Sequence, residues 1–275
     1  MAKDKHNNSH NDRNGTILNL LRKHRSVKIS ELQEILGVSD MTVRRCLNEM
    51  AEEGLVKRVH GGAMIIDPWE KELAFHTRVA EDLETKMALA ARVQPFIPDG
   101  GSIYLDGGTT SFEVAKQLSL GGKKVTVITA SIAIVRELLG KPQIESILMG
   151  GKLASDGNTV DGPLTVENAK LMSVDLCIFS CDGFNDSNIQ NQSLTGSQTQ
   201  KVMIERASLA ICVTASHKYG KNRCFHFCEW KEVDLFVTDA RLPDAAREAI
   251  EAQGVEVHLV EVPGRAGAED TSESS

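Results

Sequence analysis

The stretch SELQEILGVSDMTVRRCLNEMAEEGLVKRVHGGAMII, residues 30–66, decides the fold of the first part of the chain. It opens with the spacing of a capping box, in which the Ser30 hydroxyl accepts a backbone N–H of the first helical turn. Gly37 ends this helix, because glycine adopts the left-handed conformation at a helix end without steric cost. Ser39 then caps a further helix, from Asp40 to about Glu53. With a helix that begins near residue 13, these elements predict a small module of three helices.

The outer face of the helix that Ser39 caps carries residue types that contact DNA. Val43, Leu47 and Met50 repeat at helical spacing and point inward, so the opposite face is left to polar side chains. Arginine binds guanine edges or phosphates, and threonine offers a hydroxyl and a methyl group. The hairpin that follows, with two glycines at its turn, predicts a basic wing. We therefore expect contacts to double-stranded DNA from Ser39, Met41, Thr42, Arg44, Arg45, Lys57, Arg58 and His60.

Charge is divided between the two parts of the chain. Residues 1–66 hold 11 Lys and Arg against 8 Asp and Glu, whereas the remaining residues hold 20 against 30, within a formal net charge of −7. A basic module followed by an acidic body indicates that only the first part approaches phosphate. The aromatic content of 4% argues against a stacking platform for single strands. No stretch reaches 18 apolar residues and no secretory signal is present, so a cytoplasmic protein with reduced cysteines and no membrane partner is expected.

Short apolar runs alternate with helical segments in the acidic body. Buried runs that alternate with helices predict an α/β fold with a parallel sheet and helices on both faces. The helical segments include Ser111–Leu118 and Leu242–Ala252. The runs are Ser102–Leu105, Val125–Thr129, Ile144–Met149, Leu176–Ser180, Ala210–Thr214, Leu235–Thr238 and Val255–Val260.

The carboxyl ends of the predicted strands are rich in glycine and polar residues. Ligands of parallel sheets bind beyond this edge. The first strand runs into Asp106-Gly107-Gly108-Thr109-Thr110 and then a helix, whose N-terminal dipole favours an anion such as phosphate. Further strand ends converge on the same edge, at Thr129–Ser131, Gly150-Gly151, Cys181–Gly183 and Ser216–Lys218.

These motifs resemble those of DeoR-type bacterial transcription regulators. In the N-terminal part the resemblance rests on Arg13-x-x-x-Ile17, Glu31-Leu32, Gly37–Arg45, Gly54–Arg58 and His60–Ala63. In the body it runs from about Arg78 to Val260, on Arg78, Lys86, Asp106–Thr110, Thr129–Ser131, Gly150-Gly151, Asp161-Gly162, Asp182-Gly183, Leu194-Thr195, Ser216–Lys218 and Thr238-Asp239. It implies a winged helix-turn-helix followed by a Rossmann-like, ribose-5-phosphate-isomerase-like parallel sheet domain.

The chain departs from the family pattern at three places. Cys46 stands where the family usually has Asp, which would loosen the orientation of the neighbouring arginines. Thr129-Ala130-Ser131 replaces a common Thr-Asn, and the segment after Thr195 lacks acidic residues. An effector that differs from the commoner ones of the family is therefore expected.

The resemblance also implies a function and a set of site residues. It implies a repressor of carbohydrate-metabolism genes whose operator binding is controlled by a phosphorylated sugar. Thr109 and Thr110 would hold the phosphate, Asp106 and Asp182 would face sugar hydroxyls, and Lys218 would supply a cation. The remaining residues expected at this site are Gly107, Gly108, Thr129, Ser131, Gly151, Gly183 and Thr195.

No catalytic residue, metal or cofactor is expected.

A single recognition helix contacts few base pairs, so a homodimer or homotetramer is expected on two half-sites. The predicted boundaries are a disordered arm over 1–12, the winged helix-turn-helix over 13–66, a linker over 67–80, the sensor domain over 81–262 and a disordered acidic tail over 263–275.

Two other functions compete with this interpretation. An active sugar-phosphate isomerase would use Asp182 and Asp186, two carboxylates near one turn, for acid–base chemistry. A metal- or thiol-responsive regulator would use the Cys/His cluster, since residues at i, i+2 and i+4 of a strand share a face. Its candidate ligands are Cys177, Cys181, Cys224, His226 and Cys228.

Overall fold

The computed structural model describes residues 16–17, 19–21, 23–24, 26–52, 56–65, 75–154 and 156–262. The predicted arm over 1–12, residues 67–74 of the predicted linker and the predicted tail over 263–275 lie outside these residues. The chain divides into two compact units, Met1–Glu70 and Lys71–Ser275. Within the described residues, no helix has the length and apolar character needed to span a bilayer.

The first unit combines helices with a three-stranded antiparallel sheet. Its strands lie in the order β1-β3-β2, so the last strand of the hairpin is central. Buried residues from every element form one core, among them Ile17, Leu21, Leu32 and Leu47. The described elements are α1 (helical residues within 16–24), β1 (Ser26–Lys28), α2 (Ile29–Leu36), α3 (Asp40–Glu52), β2 (Val56–Val59) and β3 (Gly62–Ile65).

The predicted capping box at the start of α2 is wrong. The helix begins one residue earlier, at Ile29, and its N-cap residue, Lys28, makes no side-chain capping bond. The reason is the short strand β1, which the sequence analysis did not predict and which runs directly into the helix. Because Val27 pairs with Ala63 of the wing, the strand end fixes where the helix starts. The predicted helix end is confirmed, since Gly37 adopts φ 62°.

The second unit is built on a seven-stranded parallel sheet in the order β15-β14-β12-β9-β4-β5-β6. Two smaller antiparallel sheets, β10-β11-β13 and β7-β8, lie outside it. The strands are β4 (Ser102–Leu105), β5 (Val125–Thr129), β6 (Ile144–Leu148), β7 (Lys152–Leu153), β8 (Val160–Asp161), β9 (Val174–Phe179), β10 (Gly183–Phe184), β11 (Asn188–Asn191), β12 (Ala207–Val213), β13 (Phe225–Glu229), β14 (Leu235–Asp239) and β15 (Glu256–Val260). The helices are α4 (residues 75–80), α5 (Leu83–Val93), α6 (Thr109–Leu120), α7 (Ile132–Leu138), α8 (Pro163–Lys170), α9 (Leu194–Glu205) and α10 (Asp244–Glu251).

A hydrophobic core covers each face of the large sheet. Along β4, Ile103 and Leu105 belong to the core that holds residues of α5, α6 and α7, and Tyr104 belongs to the opposite core. The second core holds residues of α8, α9 and α10 together with the small sheet β10-β11-β13. The alternation follows from the two-residue period of a strand, so both faces of each central strand are buried.

All seven predicted strands of the parallel sheet are present, within three residues at each end. The small sheet β10-β11-β13 was not predicted. Its strand β11 has the sequence Asn-Ile-Gln-Asn, which offers no apolar run, and β10 spans only two residues. The pairing of these strands depends on the packing of their neighbours rather than on a local pattern.

The last residues of the predicted linker are helical and belong to the second unit. Helix α4 buries Phe75, which is 2% exposed. The Phe75 ring meets the ring of Phe112 on α6 edge-on, with centroids 5.6 Å apart. The second unit therefore begins before residue 81, at Lys71.

Trp230 gives a test of the core between the large and small sheets. Its ring is fully buried, with its centroid 4.7 Å from that of Phe236, and its Nε1 donates to the Asn185 carbonyl at 2.7 Å. Trp230→Ala should destabilise the second unit by about 3–5 kcal/mol, because the ring leaves a cavity. Urea unfolding followed by circular dichroism measures the change. Leu171→Ala, at a position 85% exposed, is the control, and equal midpoints for both variants would contradict the packing.

Candidate functional site

Helix α3 of the first unit presents an exposed polar face near its N-terminal end. Ser39 precedes it, with its Oγ 3.0 Å from Thr42 Oγ1 and 3.4 Å from the Thr42 backbone N. This local bonding confirms the predicted cap. Met41 is 80% exposed, and Arg44 and Arg45 are exposed as well. The residues predicted to contact DNA on this helix thus share one outer face.

Surface ion pairs hold both arginines along the helix. The Nε of Arg44 donates to Asp40 Oδ1 at 2.5 Å, and the Nε of Arg45 lies 4.0 Å from Glu49 Oε1. Exposed ion pairs at this spacing contribute little free energy, so either guanidinium can bind another partner instead. Cys46 is 1% exposed and belongs to the core. Cys46 thus packs inward, away from the exposed arginines, and the expected effect of this position on their orientation stays a prediction.

The wing is the β2–β3 hairpin, as predicted. Lys57 and His60 are exposed, and Arg58 is half-buried, with its Nη1 buried and lacking a hydrogen-bond partner among the described residues. Gly61 at the turn has φ 79°, and a Cβ on Gly62 would collide with a carbonyl oxygen of β1. The two glycines therefore allow the wing to turn tightly and to pack on β1.

A cleft opens in the second unit where the strand order reverses. From the central strand β4 the chain passes to β5 and β6 on one side, and then returns to β9 on the other side of β4. Residues that follow β4 and β9 line a cleft of about 200 Å³, among them Asp106, Gly107, Gly108 and Asp182. Crevices at such switch points are the usual ligand sites of open parallel sheets.

Asp106 is the buried anchor of this cleft. Its Oδ2 accepts hydrogen bonds from Ser180 N at 2.9 Å, Ser180 Oγ at 3.0 Å and Gln200 Nε2 at 2.7 Å. Its Oδ1 accepts from Gly108 N at 3.1 Å. Burial raises the pKa of this carboxyl, and the bonds from Ser180 and Gly108 act against that rise. Asp106 thus joins the ends of β4 and β9 to α9, and protein donors already engage both of its oxygens.

Three further carboxylates line the cleft. Asp182 Oδ2 accepts from the Gln192 backbone N at 3.0 Å, and Asp161 Oδ2 accepts from Thr195 Oγ1 at 3.4 Å. Asp156 Oδ1 accepts from the backbone N of residues 158 and 159. These acceptors at the wall suit a ligand with several hydroxyl groups.

Several predicted site residues do not line the cleft and have structural partners instead. Thr129 Oγ1 accepts from the Ser131 backbone N at 3.0 Å, and Ser131 Oγ accepts from the first turn of α7. Lys218 Nζ donates to the Cys181 carbonyl at 2.6 Å. Thr195 does not line the cleft, but its Oγ1 donates to Asp161 Oδ2 and its carbonyl accepts from Thr199 Oγ1.

The remaining predicted residues occupy tight backbone positions. Thr109 and Thr110 are the first residues of α6, and Thr110 is 2% exposed. A Cβ on Gly151 would collide with Thr165, and a Cβ on Gly183 would collide with the carbonyl of residue 221. These two glycines serve close packing.

The cleft also contains residues that the sequence analysis did not assign to it. Gln200 lies in the middle of α9, and Arg78 lies on α4. Asp156 lies in the loop between β7 and β8, and Asp161 is the last residue of β8. None of them follows a strand of the large sheet, so a search of strand ends could not find them. The only sequence signal was the family motif that includes Arg78 and Asp161.

The Cys/His cluster is not assembled as the metal hypothesis required. A register shift opposite β13 breaks the alternation of that strand, so Phe227 and Cys228 are both buried while Cys224 and His226 are exposed. Cys177 lies in the core. Across the described part of the chain, no three His, Cys, Asp or Glu side chains are placed to hold a metal ion.

Comparisons with known proteins agree with this architecture. A model of the DeoR-like helix-turn-helix domain matches residues 13–68, and a model of the DeoR C terminal sensor domain matches residues 81–240. The chain is 28% identical over 251 residues to the HTH-type transcriptional regulator GolR of Listeria innocua, covering 91% of this chain and 98% of that one. It is 31% identical over 255 residues to the uncharacterized HTH-type transcriptional regulator YulB of Bacillus subtilis, with coverage of 92% and 98%.

Two further comparisons concern a named repressor and a solved structure. The glycerol-3-phosphate regulon repressor of Escherichia coli is 28% identical over 253 residues, covering 90% of this chain and 98% of that one. Among solved structures, ribose 5 phosphate isomerase A from Neisseria gonorrhoeae shares 16% identity at a TM-score of 0.35, with coverage of 50% and 53%.

A winged helix-turn-helix and a sensor-type parallel sheet in one chain define a DNA-binding transcription regulator. Because the sensor-domain match alone spans more than half of the chain, the protein belongs to the DeoR family.

Asp106→Asn tests the anchor of the cleft. Asparagine keeps one acceptor oxygen and replaces the other with an NH₂ group, which would face donors of the protein. We therefore expect a loss of about 1–3 kcal/mol in the free energy of unfolding of the second unit. In a unit of this size that lowers the melting temperature by about 2–4 °C per kcal/mol. Asp244→Asn, whose side chain is 86% exposed, is the matched control and should melt as the unchanged protein does. A melting temperature unchanged by Asp106→Asn would remove the anchor role.

Thiol reactivity provides a second test. Of the six free cysteines only Cys224 is exposed, and burial raises the pKa of Cys228 to about 12. A buried thiol with little thiolate reacts slowly. An aromatic disulfide reagent should therefore modify one thiol rapidly in the native protein, and Cys224→Ser should remove that fast phase. A fast phase of two or more thiols would contradict the burial.

Proposed function

We propose that this protein is a transcriptional repressor that binds double-stranded operator DNA and whose binding is controlled by a phosphorylated sugar or a related metabolite. The observation that carries the proposal is the cleft at the switch point of the sensor sheet, within a chain that also presents two exposed arginines on a capped helix. Operator binding by a homodimer or homotetramer completes the proposal, since one recognition helix contacts too few base pairs for specific binding alone.

The DNA-binding part of the proposal rests on α3 and the wing. Arg44 and Arg45 are exposed near the N-terminal end of α3, where recognition helices contact base edges. Lys57 and His60 are exposed on the hairpin and would contact the phosphate backbone. Arg58 is half-buried and therefore less accessible, so we assign it a smaller part of the DNA contacts.

The effector part rests on the polarity of the cleft. Gly107 and Gly108 line it and lead into α6, whose first-turn N–H groups have no partner within the helix. Together with the helix dipole, these groups favour an anion. Neither Thr109 nor Thr110 lines the cleft and Thr110 is buried, so we assign the anion to the backbone N–H groups of this turn rather than to the two hydroxyls. The carboxylates Asp161 and Asp182 would accept hydrogen bonds from hydroxyl groups of the same ligand.

The names of relatives support a sensing function over catalysis. The chain is similar over nearly all its length to a glycerol-3-phosphate regulon repressor and to proteins named transcriptional regulators. The two carboxylates considered for isomerase chemistry are separated: Asp182 lines the cleft, whereas Asp186 is exposed and bonds to Tyr219 Oη at 2.7 Å. This separation favours ligand binding without acid–base catalysis.

Arginine substitutions in α3 test the DNA-binding proposal. Arg44→Ala and Arg45→Ala should each weaken operator binding by about 1–3 kcal/mol, because each removes a cation from the outer face of the helix. Fluorescence anisotropy measures the affinity for a labelled promoter fragment that the unchanged protein binds. Arg92→Ala removes the same charge from an exposed position of α5 and should bind as tightly as the unchanged protein. Unchanged affinity in both α3 variants would refute the assignment of the recognition helix.

Thermal denaturation tests the effector proposal. The full chain is heated with a panel of sugar phosphates and, separately, with the same sugars lacking phosphate. A ligand at 100 times its dissociation constant adds about 2.7 kcal/mol, which corresponds to about 5–10 °C for a unit of this size. We expect a phosphorylated compound to raise the melting temperature and its parent to have no effect. A parent that acts equally well would show that the phosphate is not recognised.

A further inference from the structure

Four cysteines lie in the core between the large sheet and the small sheet β10-β11-β13. They are Cys177, Cys181, Cys212 and Cys228, and all are free thiols. Cys181 is the one cysteine among the described residues that line the cleft, and it is 3% exposed. The cleft, of about 200 Å³, admits a molecule the size of hydrogen peroxide more readily than an aromatic disulfide. One cysteine of this core thus borders a space that a small reagent can enter.

The strand register places a second thiol beside Cys181. Strand β12 pairs with β9 so that Cys212 lies opposite Phe179, and Cys181 follows Phe179 by two residues. All three residues belong to the same core, so they lie on the same face of the sheet. Cys181 and Cys212 are therefore diagonal neighbours, and their thiols are close enough to hydrogen-bond to each other.

Polar groups around Cys181 stabilise its thiolate. Burial opposes ionisation of this thiol. Hydrogen bonds from Cys212 and Thr214, together with the charge of Lys218, outweigh burial and lower the pKa of Cys181 below its ordinary value. The Nζ of Lys218 donates to the Cys181 carbonyl at 2.6 Å, which holds the ammonium beside this residue. The buried Oγ1 of Thr214 has no other hydrogen-bond partner among the described residues, so its hydroxyl is free to donate to the sulfur.

The neighbouring cysteines stay protonated. Burial raises the pKa of Cys212 well above its ordinary value, and the hydrogen bond to Cys181 raises it further. Burial likewise raises the pKa of Cys177 well above the usual range. Because the thiolate is the form of cysteine that attacks an oxidant, reaction in this core begins at Cys181. Cys212 is then in position as the second thiol.

We propose that Cys181 is an oxidation site for hydrogen peroxide and that Cys212 closes a reversible disulfide with it. In the first step the Cys181 sulfur attacks one peroxide oxygen. An S–O bond forms, the O–O bond breaks, and the departing hydroxide takes the thiol proton to become water. In the second step the Cys212 sulfur displaces the hydroxyl of the sulfenic acid, which leaves as water with the Cys212 proton. The two thiols together lose two electrons, which reduce one peroxide to two waters.

The disulfide would change the wall of the cleft. Cys181 and Asp182 both line this space, just beyond the end of β9. A disulfide holds its two α-carbons closer than diagonal neighbours on adjacent strands usually lie, so the turn after β9 would move toward β12. Oxidation would therefore weaken ligand binding. This consequence rests on the function proposed above, whereas the oxidation itself does not.

Thiol counting tests the oxidation site in the full chain. Cys224→Ser is the background, because Cys224 is the exposed cysteine. The protein is treated with hydrogen peroxide, which is then removed, and its thiols are counted in urea. Two of the five thiols that remain in this background should be lost, and dithiothreitol should restore them. Peptide mass spectrometry should locate the new bond between Cys181 and Cys212.

Three variants in the same background separate the two roles. Cys181→Ala should lose no thiol. Cys212→Ala should lose one thiol and carry a dimedone adduct on Cys181, when dimedone is present during unfolding to trap the sulfenic acid. Cys177→Ala removes a buried thiol of the same core and is the matched control, which should lose two. Equal losses in Cys181→Ala and this control would overturn the inference. So would no loss from the background protein at a peroxide concentration that oxidises Cys224 of the unchanged chain.

Ligand binding measures the consequence for the cleft. The ligand is the sugar phosphate that most raises the melting temperature of the reduced background protein. The oxidised protein should bind it at least about tenfold more weakly, and dithiothreitol should restore the affinity. Peroxide should not change the affinity of Cys181→Ala. Equal affinity of the oxidised and reduced forms would refute the effect on the cleft. If no sugar phosphate stabilises the reduced protein, the proposed function fails, while the thiol count still decides the oxidation site.

Discussion

The buried carboxylate of Asp106 is the interaction on which the second unit depends. Three hydrogen bonds to one of its oxygens connect the turn after β4 to Ser180 at the end of β9 and to Gln200 on α9. Strands β4 and β9 pair as far as Leu105 and Ile178, and the bonds of Asp106 continue that connection beyond the strand ends. A buried carboxylate is costly unless donors surround it, so its bonds hold the loops in one arrangement. Asp106 therefore fixes the ends of β4 and β9 against α9 at one wall of the cleft.

The sequence was a good guide wherever burial leaves a local pattern. Central strands of a parallel sheet are buried on both faces, so they appear as apolar runs such as Val125–Thr129. All seven strands of the large sheet were predicted. Strand β11 is polar, and strand β1 is three residues long, so neither had a pattern to find. The start of α2 was misplaced for the same reason, because its position is set by a strand pairing distant in the sequence.

The candidate site was predicted in part. Asp106, Gly107, Gly108 and Asp182 were found because carboxyl ends of parallel strands meet at one edge. Thr129 and Ser131 meet the same rule, yet their side chains are used in a turn and a helix cap. Gln200 and Arg78 enter the cleft from helices, through packing that no short motif encodes. Strand-end chemistry therefore locates a site, and tertiary packing decides which side chains are free within it.

The direct passage from β1 into α2 has a consequence for how such proteins can be recombined. No loop separates the strand that pairs with the wing from the helix that precedes the recognition helix, and Gly62 packs against the β1 backbone too closely for any larger residue. Wing and helices consequently share one rigid backbone frame. To change operator preference by exchanging segments between such proteins, residues 26–65 would have to be exchanged together. A recognition helix exchanged alone would not keep its position relative to the wing.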